Sequence, residues 1–503
     1  MYRPFQKTKG DSSTVKLEQL ITNVDIKKTI SMKNIEIKDI CYDSRKVTEN
    51  CIFVCLRGIN HDGHAYAKQA IQNGAAAILS ETELEILEVP LIIVDNTRQC
   101  LAKISANFFE HPASKLTTIA ITGTKGKTTT SFMIKSILES SGEKCGLIGT
   151  IGAAYGNKVM PLENTTPESY QVQKHMKNML DLGYKYVVME ASSIGLKTHR
   201  LDGFDFDIGV FTNFSHDHIG KSEHKNMEEY LRCKSILFRK CKKGIINTDD
   251  KSAKKIIKNS TCTIYTFGKN KSADYQIKNI KLQKSSNSIG VKADFQGKLS
   301  LKNVYISIPG EFNAYNALAA VSVCDILGIN SDAILKGLAN TKIKGRMESI
   351  DTFRSYSIFI DYAHNAVSME NAISTLRKYS PNRLIVLFGA GGNRPKIRRY
   401  EMGETAGKLA DFSIITSDNP RCENPMDIIE DIKMGMNKTG GKYIVIPDRE
   451  KAIEYAIENA QNGDIIILAG KGHEDYQEIN GIKHKMDERI IVGNILQKLK
   501  NKI

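Results

Sequence analysis

Ala120-Ile121-Thr122-Gly123-Thr124-Lys125-Gly126-Lys127-Thr128-Thr129-Thr130 joins an apolar run at 117–121 to a helix-period stretch in which Phe132, Ile134, Ile137 and Leu138 share one face. A strand feeding a helix through a glycine-containing loop offers an anion the free N–H groups and the dipole of the helix N-terminus, so the segment reads as a phosphate cradle. In that reading Gly123, Thr124, Lys125, Gly126, Lys127, Thr128 and Thr129 contact nucleotide phosphate. Lys127 reaches the β- and γ-phosphates and Thr128 holds Mg2+. The general pattern asks for Gly five residues before Gly126, where Ile121 stands. A Gly-Lys-Thr turn also arises by chance, so the remaining sequence has to decide.

Working outward, 503 residues are too many for one hydrophobic core, and about 150 residues per domain suggests roughly three domains. The first block, 1–113, has short strands at 51–56, 76–79 and 91–94 around a helix at 64–73, with His111-Pro112-Ala113-Ser114 as its exit linker. The second, 114–342, opens with the phosphate loop. Its strands at 186–189 and 207–211 alternate with helices, which predicts a mostly parallel sheet covered by helices. The third, 343–503, opens near Gly345-Arg346 and alternates strands at 356–360, 383–388, 412–416 and 464–468 with helices, a Rossmann-like α/β domain. The expected fold class is α/β throughout, and the absence of a 20- to 50-residue repeat excludes a solenoid.

The net charge of +15 raises the question of nucleic acid. The excess is Lys spread along the chain, without an arginine-rich patch or interleaved aromatics, so a solvated lysine surface accounts for it; a positive field also favours polyanionic substrates. Met1-Tyr2-Arg3-Pro4-Phe5-Gln6-Lys7 lacks an apolar signal core, and no segment approaches the ~18 apolar residues of a membrane span, so a cytoplasmic protein without membrane insertion is expected. Ten cysteines occur singly, with no Cys-x-x-Cys pair, which favours reduced core thiols over zinc or redox chemistry.

Polar residues end the expected strands: Glu190 after 186–189, Asn213 after 208–212 and Asp361 after 358–360. Open α/β sheets bind ligands at the carboxyl ends of their strands, so all three are placed for chemistry, although Glu190 alone would also suit a helix cap.

From the phosphate loop onward the chain resembles the Mur ligases, ATP-dependent amide-forming enzymes of peptidoglycan precursor synthesis. The resemblance rests on Gly123-Thr124-Lys125-Gly126-Lys127-Thr128-Thr129, Asn164-Thr165-Thr166-Pro167, Glu190-Ala191-Ser192-Ser193 and Thr212-Asn213-Phe214-Ser215-His216-Asp217-His218. It continues through 230–238 with Lys234, Asn313-Ala314-Tyr315-Asn316, Gly345-Arg346-Met347-Glu348 and Asp361-Tyr362-Ala363-His364-Asn365. Asp43-Ser44-Arg45, Phe53-Val54, Gly58 and His61-Asp62-Gly63 are similar to the UDP-binding domain of the third and fourth amino-acid-adding members. Asp418-Asn419-Pro420-Arg421-Cys422-Glu423 and Gly470-Lys471-Gly472-His473-Glu474 resemble the third member. Its variant with this Arg adds meso-2,6-diaminopimelate, and lysine-adding relatives usually lack it. Ala366 where the family often has Pro, and Asn393 where Asp is commoner, depart from the pattern and leave the alignment of 393–399 loose.

The resemblance implies that ATP converts the D-glutamate side-chain carboxylate of UDP-MurNAc-L-Ala-D-Glu to an acyl phosphate, which the amine of meso-2,6-diaminopimelate attacks. Positioning and charge neutralisation dominate such transfers, and the resemblance gives catalytic roles to Lys127, Glu190, His218 and Lys234. Thr128 would hold the nucleotide Mg2+; Glu190, His218 and Lys234, the last as a CO2-derived N6-carboxylysine, would hold a second. Mg2+ prefers oxygen, so chemistry alone makes His218 a hydrogen-bonding residue, and burial statistics alone make Lys234 a surface lysine. Asn313 and Asn316 would face adenine, with Arg346 and Asp361 closing over phosphate and ribose from the third block and domain closure excluding water. Asn313, following Pro309-Gly310, also fits a helix cap. Ser44 and Arg45 would face UDP, and Thr165, Thr166, Ser193 and Arg200 the muramoyl peptide. Arg399, Asp418, Asn419, Arg421, Gly470 and Glu474 would take the amino acid, Arg421 forking its distal carboxylate and Asp418 and Glu474 its distal ammonium. A monomer is expected.

A lysine-adding member of the family is the nearest alternative. A basic nucleic-acid ATPase has no use for the Asp-Asn-Pro-Arg and Gly-Lys-Gly-His-Glu motifs, and a folylpolyglutamate synthase none for the Asp-Ser-Arg segment. A scaffold without catalysis would have lost Lys127, Glu190 or Lys234.

Overall fold

The computed structural model describes residues 14–58, 61–85, 88–156, 158–220, 223–285 and 289–501. The segment read at 1–7 for a signal core lies outside them. The described residues form two compact units, one running up to Ser131 and again over Gly142–Phe267, the other made of Phe132–Ser141 and the chain from Gly268 onward.

The first unit begins with a five-stranded sheet in the order Ile26–Ile30, Leu91–Val94, Ala75–Ser80, Cys51–Val54, Asp39–Cys41, parallel except for its first pair. Cys51–Val54 and Leu91–Val94 are buried at every position, as strands covered on both faces must be. Helix Thr97–Phe108 lays Leu101 and Ile104 on one face, and helix Ala67–Gln72 supplies Ala67 and Ala70 to the other. The expected linker at 111–114 is instead packed: Pro112–Lys115 is a 3-10 turn with Pro112 and Ala113 buried, and Ala113 joins the core of the following sheet. Proline at the first position presets φ for such a turn.

That sheet carries the phosphate loop. Its order in this unit is Lys158–Met160, Gly152–Tyr155, Cys145–Gly149, Tyr186–Glu190, Thr117–Thr122, Phe206–Phe211, Cys241–Asn247, Thr263–Gly268, with parallel pairing from Cys145–Gly149 onward. Thr117–Thr122 lies between strands reached in opposite directions, the kind of switch point where open α/β sheets bind ligands. Register pairs Glu190 with Ile121 and Phe211 with Thr122, so the loop, Glu190 and Thr212 emerge at one edge. Helix Lys127–Ser140 buries Ile134, Ile137 and Leu138 on the expected face, with Met133 buried in place of Phe132, which stays half-buried.

The second unit opens with three antiparallel strands that periodicity did not predict, Tyr275–Lys284, Ile289–Gly297 and Leu301–Ile306. Helix Phe312–Ile326 follows, buried on nearly every side. A six-stranded sheet then runs Glu348–Ile350, Ser357–Asp361, Ile465–Ala469, Leu384–Phe388, Phe412–Ile415, Tyr443–Val445, parallel apart from its first strand. Ala366–Arg377, Ile397–Leu409 and Pro425–Met436 cover one face, Arg449–Glu458 and Glu488–Lys500 the other. Arg449 and Glu488 form a fully buried pair at 2.8 Å, and Arg449 also donates to the carbonyls of Ser417 at 3.2 Å and Ala469 at 2.9 Å. It thereby ties together the two strand ends that Asp418 and Gly470 extend. Among the described residues no helix is long and apolar enough to cross a membrane. All ten cysteines are free thiols, most of them buried, with Cys422 exposed.

Candidate active site

Gly123, at φ +152°, has no room for a side chain: a Cβ would stand 2.0 Å from the Thr212 hydroxyl. That hydroxyl donates to the Lys125 carbonyl at 2.7 Å, and the Asn213 amide accepts from Lys125 N at 2.9 Å and donates to Lys125 O at 3.0 Å. Thr124 N donates to Asn213 O at 2.9 Å, and the Tyr230 hydroxyl reaches Thr124 Oγ1 at 3.2 Å. The Thr212-Asn213 segment therefore holds the loop backbone, which is the chemistry that a polar residue at that strand end performs here.

Two lysines converge on the loop. Lys127 Nζ donates to Gly123 O at 2.9 Å and Thr124 O at 3.1 Å, and Lys234 Nζ donates to Gly123 O at 2.8 Å. Lys234 is buried on the helix Met227–Ser235, with its ammonium 4.4 Å from the Tyr230 ring centre. Burial, with the Lys127 charge adding to it, pushes the Lys234 amine well below the ordinary lysine range. It is not the surface lysine that statistics alone suggest.

Glu190 is fully buried, and its carboxylate accepts from Thr150 N, Thr150 Oγ1 and Thr128 Oγ1, each at 3.0 Å. These donors are neutral, and among the described residues no cation is paired with the carboxylate. Gly149 leaves it room, since a Cβ there would lie 2.3 Å from Glu190 Oε1. Hard oxygen donors from Glu190 and Thr128 fit Mg2+, which takes few protein ligands and completes its shell with phosphate and water. Among the described residues no three His, Cys, Asp or Glu side chains converge as a metal cluster. His218, at φ +57°, turns its Nδ1 to Glu223 Oε1 at 2.8 Å.

Around Glu190, Thr165 bonds Thr150 at 3.1 Å, and Thr166 donates to Glu190 O at 2.7 Å while accepting from Ser192 N at 2.9 Å. Arg200 donates to Thr166 O at 2.8 Å and pairs with Glu168 at 3.1 Å. Ser193 Oγ meets the buried His224 Nε2 at 2.8 Å. Ser44 opens the short turn Ser44–Lys46; Arg45 is exposed and forks Asp43 at 2.9 and 3.0 Å, holding that carboxyl down at about 2.

In the second unit Asn316 donates to Asn313 Oδ1 at 2.8 Å and Asn313 to Pro309 O at 2.7 Å, both amides being buried. Arg346 lies over the Tyr362 ring at 5.6 Å. Asp361 accepts from Met347 N at 2.7 Å, and burial raises its carboxyl above the usual range.

The Asp418-Asn419-Pro420-Arg421 and Gly470-Lys471-Gly472-His473-Glu474 motifs assemble at the ends of Phe412–Ile415 and Ile465–Ala469. Gly470, at φ +110°, lets the Asp418 carboxylate approach, for a Cβ would stand 2.6 Å from Asp418 Oδ2. Asn419 donates to Glu474 Oε2 at 2.9 Å and accepts from the buried Lys471 ammonium at 2.8 Å, which also pairs with Glu474 at 2.8 Å. Arg421, at φ +52°, donates through Nη1 to Gly392 O at 2.5 Å and through Nε to Glu478 Oε2 at 3.3 Å. Arg399 is almost completely buried; it forks Glu423 at 2.8 Å and bonds Asp431 at 2.9 Å. Glu423 in turn accepts from the Asn393 backbone, so Arg399 holds the start of that loop through Glu423.

Comparison with known proteins fits these two centres. Residues 36–109 match the Mur ligase family catalytic domain, 121–324 the Mur ligase middle domain and 345–472 the Mur ligase glutamate ligase domain. A UDP-N-acetylmuramoyl-L-alanyl-D-glutamate--2,6-diaminopimelate ligase of Caldanaerobacter subterraneus subsp. tengcongensis is 46% identical over 465 residues, 92% of this chain and 95% of that one. The chain belongs to the Mur ligase family. A ligase of the same description from Clostridioides difficile is 39% identical over 490 residues, 96% of this chain and 100% of that one. A solved structure so described superposes with a TM-score of 0.72 at 31% identity, covering 97% of this chain and 100% of that one. Members of the Mur ligase family use ATP with Mg2+.

Four residues of this Mur ligase escaped the sequence reading. Thr150 and His224 lie outside the quoted motifs and carry no local signal. Lys471 was visible inside its motif without a role. Glu478 stands on a hairpin, Tyr476–Ile479 with Ile482–Lys485, announced by Asn480-Gly481.

Proposed function

We propose that this Mur ligase joins meso-2,6-diaminopimelate to UDP-MurNAc-L-Ala-D-Glu with conversion of ATP to ADP and phosphate, in the cytoplasm where both nucleotides occur, as a step of peptidoglycan precursor synthesis. The observation that carries this reading is Arg421 in the Asp418-Asn419-Pro420-Arg421 loop, beside Asp418 and Glu474, in a chain whose full-length relatives bear that ligase's name.

Lys127 and the helix N-terminus neutralise the transferring phosphoryl group; Thr128 would hold the nucleotide Mg2+ and Glu190 a second Mg2+, ions that would supply charge neutralisation there. A carboxylate oxygen of the substrate attacks the γ-phosphorus and ADP leaves; the amine then attacks the acyl carbon and phosphate departs with that oxygen. Lys234 serves as its carbamate. The depressed basicity of its amine supports this, because only a neutral amine adds CO2. His218 and the Lys234 carbamate would be further ligands of the second ion. Ser44 and Arg45 contact UDP, and Thr165, Thr166, Ser193 and Arg200 the muramoyl peptide. Asn313, Asn316, Arg346 and Asp361 contact ATP, each resting on its motif. Asp418, Asn419, Gly470 and Glu474 bind the amino acid with Arg421, and Arg399 contributes through the Glu423 loop. The proposed domains are 1–113, 114–342 and 343–503, and the enzyme acts as a monomer. Incubating the protein with ATP, UDP-MurNAc-L-Ala-D-Glu and single amino acids tests the reading: mass spectrometry should find the diaminopimelate adduct, and its absence would refute it.

A further inference from the structure

Arg421, proposed for the distal carboxylate, would stand unpaired with an amino acid lacking that group if it had no other partner. The structure replaces that picture. Arg421 already has a carboxylate partner, Glu478, at 3.3 Å, with both side chains about one-quarter exposed. The hairpin that carries Glu478 is fastened to the Arg421 loop along its length. Arg421 N donates to Glu478 O at 3.0 Å and Asn480 N to Arg421 O at 2.6 Å. Glu478 N donates to Asn419 Oδ1 at 2.9 Å and the Gln477 amide to Asp418 O at 2.6 Å. Asn480 and Gly481 both take positive φ, 49° and 76°, as a tight hairpin turn requires, so the strand ends at a fixed place. The carboxylate is therefore part of the amino-acid site and is not a mobile surface charge that happens to lie near it.

We infer that Glu478 is the resident counter-ion of Arg421 and sets how strongly this enzyme prefers an amino acid with a distal carboxylate over one ending in an ammonium alone. The inference rests on the assignment of Arg421 to the distal carboxylate. A diaminopimelate carboxylate arriving at Arg421 meets a guanidinium whose charge is already shared and a like charge beside it, which weakens its gain. A lysine side chain leaves Arg421 neutralised by Glu478, which removes the penalty of a stranded cation. Glu478 thus lowers discrimination from both directions. Replacing it by Gln keeps an acceptor for Arg421 Nε and removes only the charge.

The test compares kcat/KM for diaminopimelate and for L-lysine, at saturating ATP and UDP-MurNAc-L-Ala-D-Glu, in wild type, Glu478→Gln, Glu478→Ala and Arg421→Ala, with the KM for ATP as control. Glu478→Gln should raise the diaminopimelate-to-lysine ratio about 5- to 10-fold, a size moderated by solvent screening, mainly through a lower KM for diaminopimelate. Glu478→Ala should move the ratio the same way and guards against a Gln variant that folds poorly. An unchanged or lowered ratio in both variants, with Arg421→Ala still losing diaminopimelate use, overturns the counter-ion role alone. If Arg421→Ala leaves diaminopimelate use intact, the assignment of the site fails and the inference with it.

Discussion

The loop at 123–129 and the cluster around Asp418 and Gly470 handle charge differently. At the loop, Lys127 and Lys234 donate to backbone carbonyls, Glu190 accepts from the neutral donors of Thr128 and Thr150, and the ion pair Lys125–Asp217 stands at 2.9 Å. At the ends of Phe412–Ile415 and Ile465–Ala469 three cations are paired: Arg399 with Glu423 and Asp431, Arg421 with Glu478, Lys471 with Glu474. A centre that must stabilise developing charge benefits from polar groups aimed at it in advance. A centre that selects among similar amines can keep its ions paired and gain specificity from which pairs a substrate is able to replace.

The largest effect expected from breaking this contrast is at Lys127. Lys127→Ala should lower ligation ~1000-fold or more, read as ADP release and product formation, because the loop loses the cation aimed at the β- and γ-phosphates. Near-normal turnover would remove the phosphate reading. Lys234→Ala should cost about 100- to 1000-fold, and a short carboxylic acid such as formate added to the assay should return part of the rate by standing in for the carbamate. A high-resolution map of the liganded enzyme showing bare Lys234 away from metal would exclude that role.

At the paired centre the effects shift toward stability and KM. Arg399→Ala leaves the buried Asp431 with only Tyr400 at 3.3 Å and the more distant Lys396, and should destabilise the fold by about 2 kcal/mol, seen in chemical denaturation, whereas wild-type stability would make Arg399 a substrate ligand only. Arg421→Ala should cut kcat/KM for diaminopimelate roughly 30- to 100-fold with little change in the KM for ATP. The smallest effect is expected at Thr150→Val, which removes one of the neutral donors that orient Glu190: roughly a 10-fold higher Mg2+ requirement, with an unchanged magnesium titration counting against Glu190 as ligand.

Legibility in the sequence followed the same division. The central strands were readable because burial on both faces writes continuous apolar runs, as at Cys51–Val54 and Tyr186–Glu190. The three antiparallel strands from Tyr275 to Ile306 were harder to read because register shifts between Lys278 and Lys281 and between Ala293 and Phe295 break their period-two alternation. Loop residues at strand ends were found because motifs mark them, while the Lys234 environment was not, since a helix surface lysine and a buried one look alike until the tertiary packing of Tyr230 and Gly123 is known. The Glu478 partnership depends on a hairpin folding back across about 57 residues of chain separation, a distance that no local pattern spans.

The most direct measurement of the whole account is one ligation run with 18O in the D-glutamate side-chain carboxylate of UDP-MurNAc-L-Ala-D-Glu, with ATP, diaminopimelate and L-lysine present together at equal concentration. Mass spectrometry of product and phosphate should show the diaminopimelate adduct in large excess and one 18O in the released phosphate, since the attacking carboxylate oxygen leaves with the phosphoryl group. Unlabelled phosphate would contradict carboxylate activation by ATP, and a product carrying no diaminopimelate would contradict the assignment of the amine.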